Sequence, residues 1–121
     1  MTDQIIFNQI LEIVQPREVA SPYSSTPVLD WDDPGYKLVP FMVSVQPAGS
    51  TEGPVERPQT VSSHILITPP GTDIPELGAE SRVRVGRLLV LDVVGEPARW
   101  PDPWHPGTVH HLEAVCEVVR G

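Results

Sequence analysis

The sequence predicts an all-β fold, a small antiparallel β-barrel or sandwich with long loops, on three observations. Fifteen prolines are spread from Pro16 to Pro106 and, with nine glycines, leave no room for a long helix in the middle of the chain. Five or six short segments with strand-like apolar patterning recur between turn signals. Near the C-terminus strict alternation sets His110, Leu112, Ala114, Cys116 and Val118 on one face of a strand. A chain of 121 residues holds one core, so residues 1–121 read as a single domain. It comprises an N-terminal strand and extended arm over 1–40 and a barrel over 41–121 that carries a loop at 46–59.

Residues 5–14 are ambiguous. Ile6, Ile10, Ile13 and Val14 share a helical face, whereas Ile10, Glu12 and Val14 fit a strand, and the reading adopted is a strand over the second half. Residues 19–40 carry Ser-Pro, Thr-Pro and Asp-Pro-Gly, signals for turns and extended backbone, with Val28, Leu29, Trp31 and Tyr36 as isolated anchors. Residues 41–46 read as a strand with Phe41, Val43 and Val45 on one face, ended by Pro47. Residues 47–59 hold one large aliphatic side chain, Val55, so they have little to bury.

Residues 60–68 form the next strand, with Val61, Ile65 and Ile67 read as the core side and His64, Leu66 and Thr68 as the other. Residues 81–85 alternate, Gly86 permits a turn, and the apolar run over 87–94 suits a strand buried on both sides, so the two form a hairpin. The loop at 95–108 holds Trp100, Trp104 and His105 among four prolines. In the last strand the even-numbered face enters the core.

Sixteen acidic residues against eight basic ones give a formal charge of −8, which disfavours a sequence-independent grip on nucleic-acid phosphates. A lone cysteine cannot close an intramolecular disulfide, and the absence of a basic segment followed by an apolar stretch argues against secretion, so a reducing cytoplasm is expected. The longest aliphatic run, residues 88–91, is far short of the ~20 residues a membrane span needs.

Catalytic and metal chemistry finds weak support. His105, His110, His111 and Cys116 lack paired zinc spacing, and in a regular strand His110 and His111 point to opposite faces. Cys116 and His110 share a face but lie roughly 20 Å apart along a strand, which suits a buried apolar cysteine better than a nucleophile. Asp30, Asp32 and Asp33 precede Pro34-Gly35, which reads first as a turn, and no phosphate-cradling or nucleophile-elbow motif is present. No enzymatic activity, metal or cofactor is expected. Trp31, Trp100 and Trp104 serve either to cover the ends of the barrel or as subunit contacts.

Val43-Ser44-Val45-Gln46-Pro47, followed by Ser50, Thr51 and Glu52, is similar to the V-Q-P-x-S-x-E segment of the head-to-tail stoppers of long-tailed bacteriophages. Ile67-Thr68-Pro69 resembles that family's Y-T-P strand end. Arg82-Val83, Gly86 and Val94-Gly95-Glu96-Pro97 resemble its R-V…G…V-x-G-x-P stretch, and Arg99-Trp100-Pro101 with His110-His111-Leu112-Glu113-Ala114 is similar to versions from phages of actinobacteria. The resemblance covers residues 43–121, and residues 5–40 depart from it. It implies a virion protein assembled in the bacterial cytoplasm into a twelve- or six-fold homo-oligomeric ring. That ring would sit at the head-tail junction between the portal with its adaptor and the tail terminator or tail tube, retaining packaged DNA without binding it specifically and giving the tail a docking surface.

The family's channel plug maps onto 46–59, with Gln46, Pro47, Gly49, Ser50, Thr51, Glu52, Gly53, Pro54, Glu56 and Arg57 as candidates. Trp31, Asp33, Tyr36, Trp100, Trp104 and His105 are the candidate interface. The competing readings are another virion connector such as the tail terminator, a generic β-sandwich module with the tryptophans as a saccharide platform, and a metal-dependent hydrolase.

Overall fold

A computed structural model describes residues 5–23, 25–48 and 63–119. They form no helix. They build one antiparallel sheet from β1 (Leu11–Val19), β2 (Val28–Leu38), β3 (Ser44–Pro47), β4 (Ser63–Ile67), β5 (Arg82–Val85), β6 (Leu89–Val93), β7 (Ala98–Pro101) and β8 (Val109–Val118). The order is β2-β1-β5-β6-β8-β4-β3, with β7 on β8. The all-β expectation therefore holds, but the sheet is not closed into a barrel. Instead one antiparallel bridge, Gln9–Val43, ties the segment before β1 to the start of β3, and the Gln9 side chain accepts a 2.7 Å bond from the Val45 amide.

β8 organises the sheet. One edge pairs with β4, while the other pairs with β6 through residues 116–118 and with β7 through residues 109–113. Leu112, Ala114 and Cys116 are buried on its even-numbered face, as the alternation predicts. They join Leu11, Ile13, Val43, Val45, Leu66, Val83, Val85, Leu91 and Val93 in one continuous core.

Several local expectations are corrected. β4 turns the other way: His64, Leu66 and Thr68 are buried, while Ile65 and Ile67 are only partly covered and Val61 lies outside the described residues. Register decides this. His64 stands opposite Cys116 and Leu66 opposite Ala114, and directly opposed residues share a face. Buried Thr68 is satisfied because its Oγ1 accepts from the Leu112 amide at 2.8 Å and donates to the Thr72 carbonyl at 3.3 Å. Ile67 has apolar company outside the core, since it lines a groove with Ile5 and Phe7.

β6 is buried on one side only: Leu91 and Val93 point inward, while Val94, just past its end, is exposed. In β1 the core residues are Leu11 and Ile13 rather than Ile10, and the strand runs on to Val19. The strand expected from Phe41 begins at Ser44. β7 occupies part of what reads as a loop, its residues paired to β8 between prolines.

The largest departure is β2. Asp-Pro-Gly makes no turn there but lies inside a long edge strand, where a proline costs no ladder bond if its nitrogen faces away from the partner. The β1–β2 register jumps from Gln15↔Gly35 to Arg17↔Asp30, so residues 31–34 bulge opposite Pro16. The extended arm expected over 1–40 is thus a hairpin. Its base is anchored because β1 pairs with β5 from Leu11 to Val14; beyond Val14, β2 is the one partner strand among the described residues.

Candidate functional site

The candidate interface residues fall into two neighbourhoods, separated in the sheet by β1, β5 and β6. Trp31, Asp33 and Tyr36 lie on β2, while Trp100, Trp104 and His105 lie on β7 and in the β7–β8 connection.

In the first neighbourhood, arginines on β5 clamp the aromatic residues of β2 across β1. The Arg82 guanidinium sits 4.4 Å from the Trp31 ring centroid and that of Arg84 3.6 Å from the Tyr36 centroid. Each arginine also holds a carboxylate, Arg82 that of Asp92 at 2.8 Å and Arg84 that of Glu12 at 2.8 Å. Asp33 pairs with Arg17 at 2.6 Å between two exposed side chains. This lattice exists because Arg82 stands opposite both Val14 and Asp92, and Arg84 opposite Glu12. Trp31 and Tyr36 therefore spend one ring face on their own chain.

In the second, Trp100 stacks on His111 with centroids 5.9 Å apart and planes 9° from parallel. The β7–β8 register passes from Trp100↔His111 to Pro101↔Val109, which leaves His110 as an extra residue in a bulge. Both imidazoles consequently meet, Nδ1 to Nδ1 at 2.9 Å, contrary to the opposite-face expectation for a regular strand. His111 Nε2 lies 2.8 Å from Glu113 Oε2. With His111 neutral, its Nε2–H donates to Glu113 and its Nδ1 accepts from His110, so a single proton occupies the space between the two facing nitrogens. Among the described residues no group of three or more His, Cys, Asp or Glu side chains is arranged to hold a metal ion.

Trp104 is 84% exposed at the tip of the β7–β8 connection. Asp102 organises that tip: it accepts from the Trp104 amide at 2.9 Å and contacts His105 Nδ1 at 3.1 Å. The Trp104 amide, and then His105, hold its carboxyl below the ordinary value against an opposing effect of burial.

Of the candidate plug residues, Gln46 and Pro47 lie on exposed β3 positions. Gly49, Ser50, Thr51, Glu52, Gly53, Pro54, Glu56 and Arg57 lie outside the described residues. The base of their loop is fixed by the β3–β4 ladder and by the Ala48 amide donating to the Ser63 carbonyl at 2.9 Å. The segment leaves and re-enters the sheet at one place.

Sequence reasoning placed Cys116 in the core, where it is found, and missed two features. Buried His64, rather than His110, is the cross-strand neighbour of Cys116. Cys116 itself is fully buried, and burial, aided by Asp92, pushes its thiol up to about 11. Arg99 clasps the chain between β4 and β5, bonding Asp73 at 3.1 Å and the carbonyls of Ile74 and Leu77 at 2.9 and 2.8 Å. Only cross-strand register could have revealed the first, and nothing local distinguishes Arg99 from a solvated arginine.

Comparison with models of protein families, with curated proteins and with solved structures finds no match.

Proposed function

We propose that this chain is a structural virion protein, a ring subunit at the head-tail junction that closes the channel over packaged DNA and offers the tail its docking surface. The observation that carries the reading is the loop of residues 47–59 beside its base. A segment with a single large aliphatic residue is inserted between two short strands whose ends are hydrogen-bonded together. With so little to bury, such a segment adds little to the core, and Val45 and Leu66 at its base are buried among residues of the sheet itself. The formal charge of −8 suits a channel through which a polyanion must later slide, because closure then depends on steric blockage rather than attraction.

Further support comes from the ordered series of motifs shared with head-to-tail stoppers and from the clamped β2 aromatics. Tyr36 is exposed and Trp31 partly so, which suits contact with a neighbouring subunit, the portal with its adaptor, or the tail side. The test is to replace residues 49–56 with a short turn and to assemble phage heads with the variant. Rings should form, while the heads lose their genome before tails attach. Heads that keep their DNA with the shortened loop would rule out the plug.

A further inference from the structure

Four observations converge on Arg87. It stands in the β5–β6 turn at φ 60°, a left-handed conformation that costs most residues energy and that glycine or asparagine fills better. It is exposed and, among the described residues, makes no ion pair or hydrogen bond through its guanidinium, whereas Arg17, Lys37, Arg82, Arg84 and Arg99 are all paired. It rims an open groove of about 290 Å³ lined by Ile10, Leu38, Phe41 and Met42. Its neighbour Leu88 is 86% exposed. A strained position that retains a long unpaired cation beside an apolar groove fits a ligand with an aliphatic knob and an adjacent carboxylate.

The chain carries such a knob at the far end of β2. Past Val14 the β1–β2 hairpin pairs with no third strand among the described residues, and a two-stranded ribbon standing alone in water is marginal. Val19 and Val28 face each other across this ribbon, both exposed, and Asp30 follows Val28 on the same face. Asp30 Oδ1 accepts from the Asp32 amide, leaving Oδ2 without a bond among the described residues. Leu38 at the groove and Val28 at the tip end the same strand, up to roughly 30 Å apart at the usual rise, so a chain cannot reach its own groove.

We propose that the β1–β2 ribbon of one copy docks into the Leu38–Met42 groove of the next, with Val19 and Val28 in the groove and Asp30 against Arg87. The two surfaces differ, so the contact is heterologous and propagates head to tail, closing into a ring or extending as a filament. Ring closure rests on the function proposed above; the contact does not.

Two full-length variants, Val28→Cys and Met42→Cys, test it with a short bismaleimide at high protein concentration, where buried Cys116 does not compete. The mixture should yield a cross-linked dimer and each variant alone none. Self-linking of Val28→Cys would instead indicate edge-to-edge pairing and overturn the proposal, as would no cross-link at all. Arg87→Glu should weaken cross-linking about tenfold, and adding Asp30→Arg should restore it. Failure of that charge swap, in variants with unchanged melting temperature, removes the Asp30–Arg87 contact. A chain carrying both cysteines gives products that electron microscopy can sort. Open filaments would keep the contact and sink the ring, whereas rings without the cross-link would sink the contact and leave the ring standing.

Discussion

At the scale of single residues, Cys116 shows how burial controls chemistry. Its thiol faces the core on β8 with no exposed surface, and desolvation is the main reason its pKa rises from 9.0 to about 11. An acid whose folded pKa is raised stabilises the fold fully below its unfolded value and loses that contribution as pH climbs through the folded one. The window is therefore pH 9 to 11, and the contribution is on the order of 2 kcal/mol. Cys116→Ala removes this pH dependence and, near neutral pH, where the thiol is protonated in both states, costs about 1 kcal/mol through lost packing. Urea unfolding of both proteins from pH 7 to 11 should show the gap between them closing above pH 9 and reversing towards pH 11, and a constant gap would mean that the thiol does not titrate with folding. Arg99 illustrates the opposite use of a polar side chain. Its guanidinium donates to three carbonyls of the connection between β4 and β5, those of Ile74, Pro75 and Leu77, and by holding Ile74 and Leu77 it keeps both in the core.

At the scale of elements, the β5–β6 hairpin joins two requirements that conflict. Gly86 and Arg87 both take φ 60°, the double left-handed pattern that suits the twist of a tight hairpin. Arg87→Gly relieves about 1–2 kcal/mol of left-handed strain and loses about 0.5–1 kcal/mol to chain entropy, for a net gain of about 0.5–1 kcal/mol. Thermal melting should rise by a few degrees while self-association falls. Elements of this kind were legible in the sequence where local alternation sufficed, as in β8 and in the β5–β6 pair with its glycine turn. β4 was legible as a strand but not in its facing, because Ile65 and Ile67 are as apolar as Leu66 and only the register to β8 chooses between them. β2 was hidden because Pro34-Gly35 signals a turn in isolation, whereas a four-residue bulge opposite Pro16 absorbs it within a strand. The meeting of His110 with His111 needed a bulge on β8, and the arginine clamps on Trp31 and Tyr36 needed three strands in register. Both are properties of pairing and have no signature in the spacing of residues along one strand.

At the scale of the whole molecule, the proposed contact raises the question of how a chain of formal charge −8 would meet a copy of itself. Net repulsion acts between centres tens of ångströms apart and is screened strongly once the Debye length falls below ~10 Å, near 0.1 M salt. A contact such as Asp30 with Arg87 acts over a few ångströms, beside the aliphatic groove that excludes water, and is screened much less. Apolar burial by Val19 and Val28 is not weakened by salt at all. Raising sodium chloride from 0.02 to 0.3 M (about a fourfold drop in Debye length) removes more repulsion than attraction, so self-association should strengthen. Sedimentation velocity at both salt concentrations measures this directly. Weaker association at high salt would require an interface made of extended, oppositely charged faces, and the described arginines offer no such face. Four of them are held by carboxylates of their own subunit, which leaves Arg87 as the described arginine free to reach across.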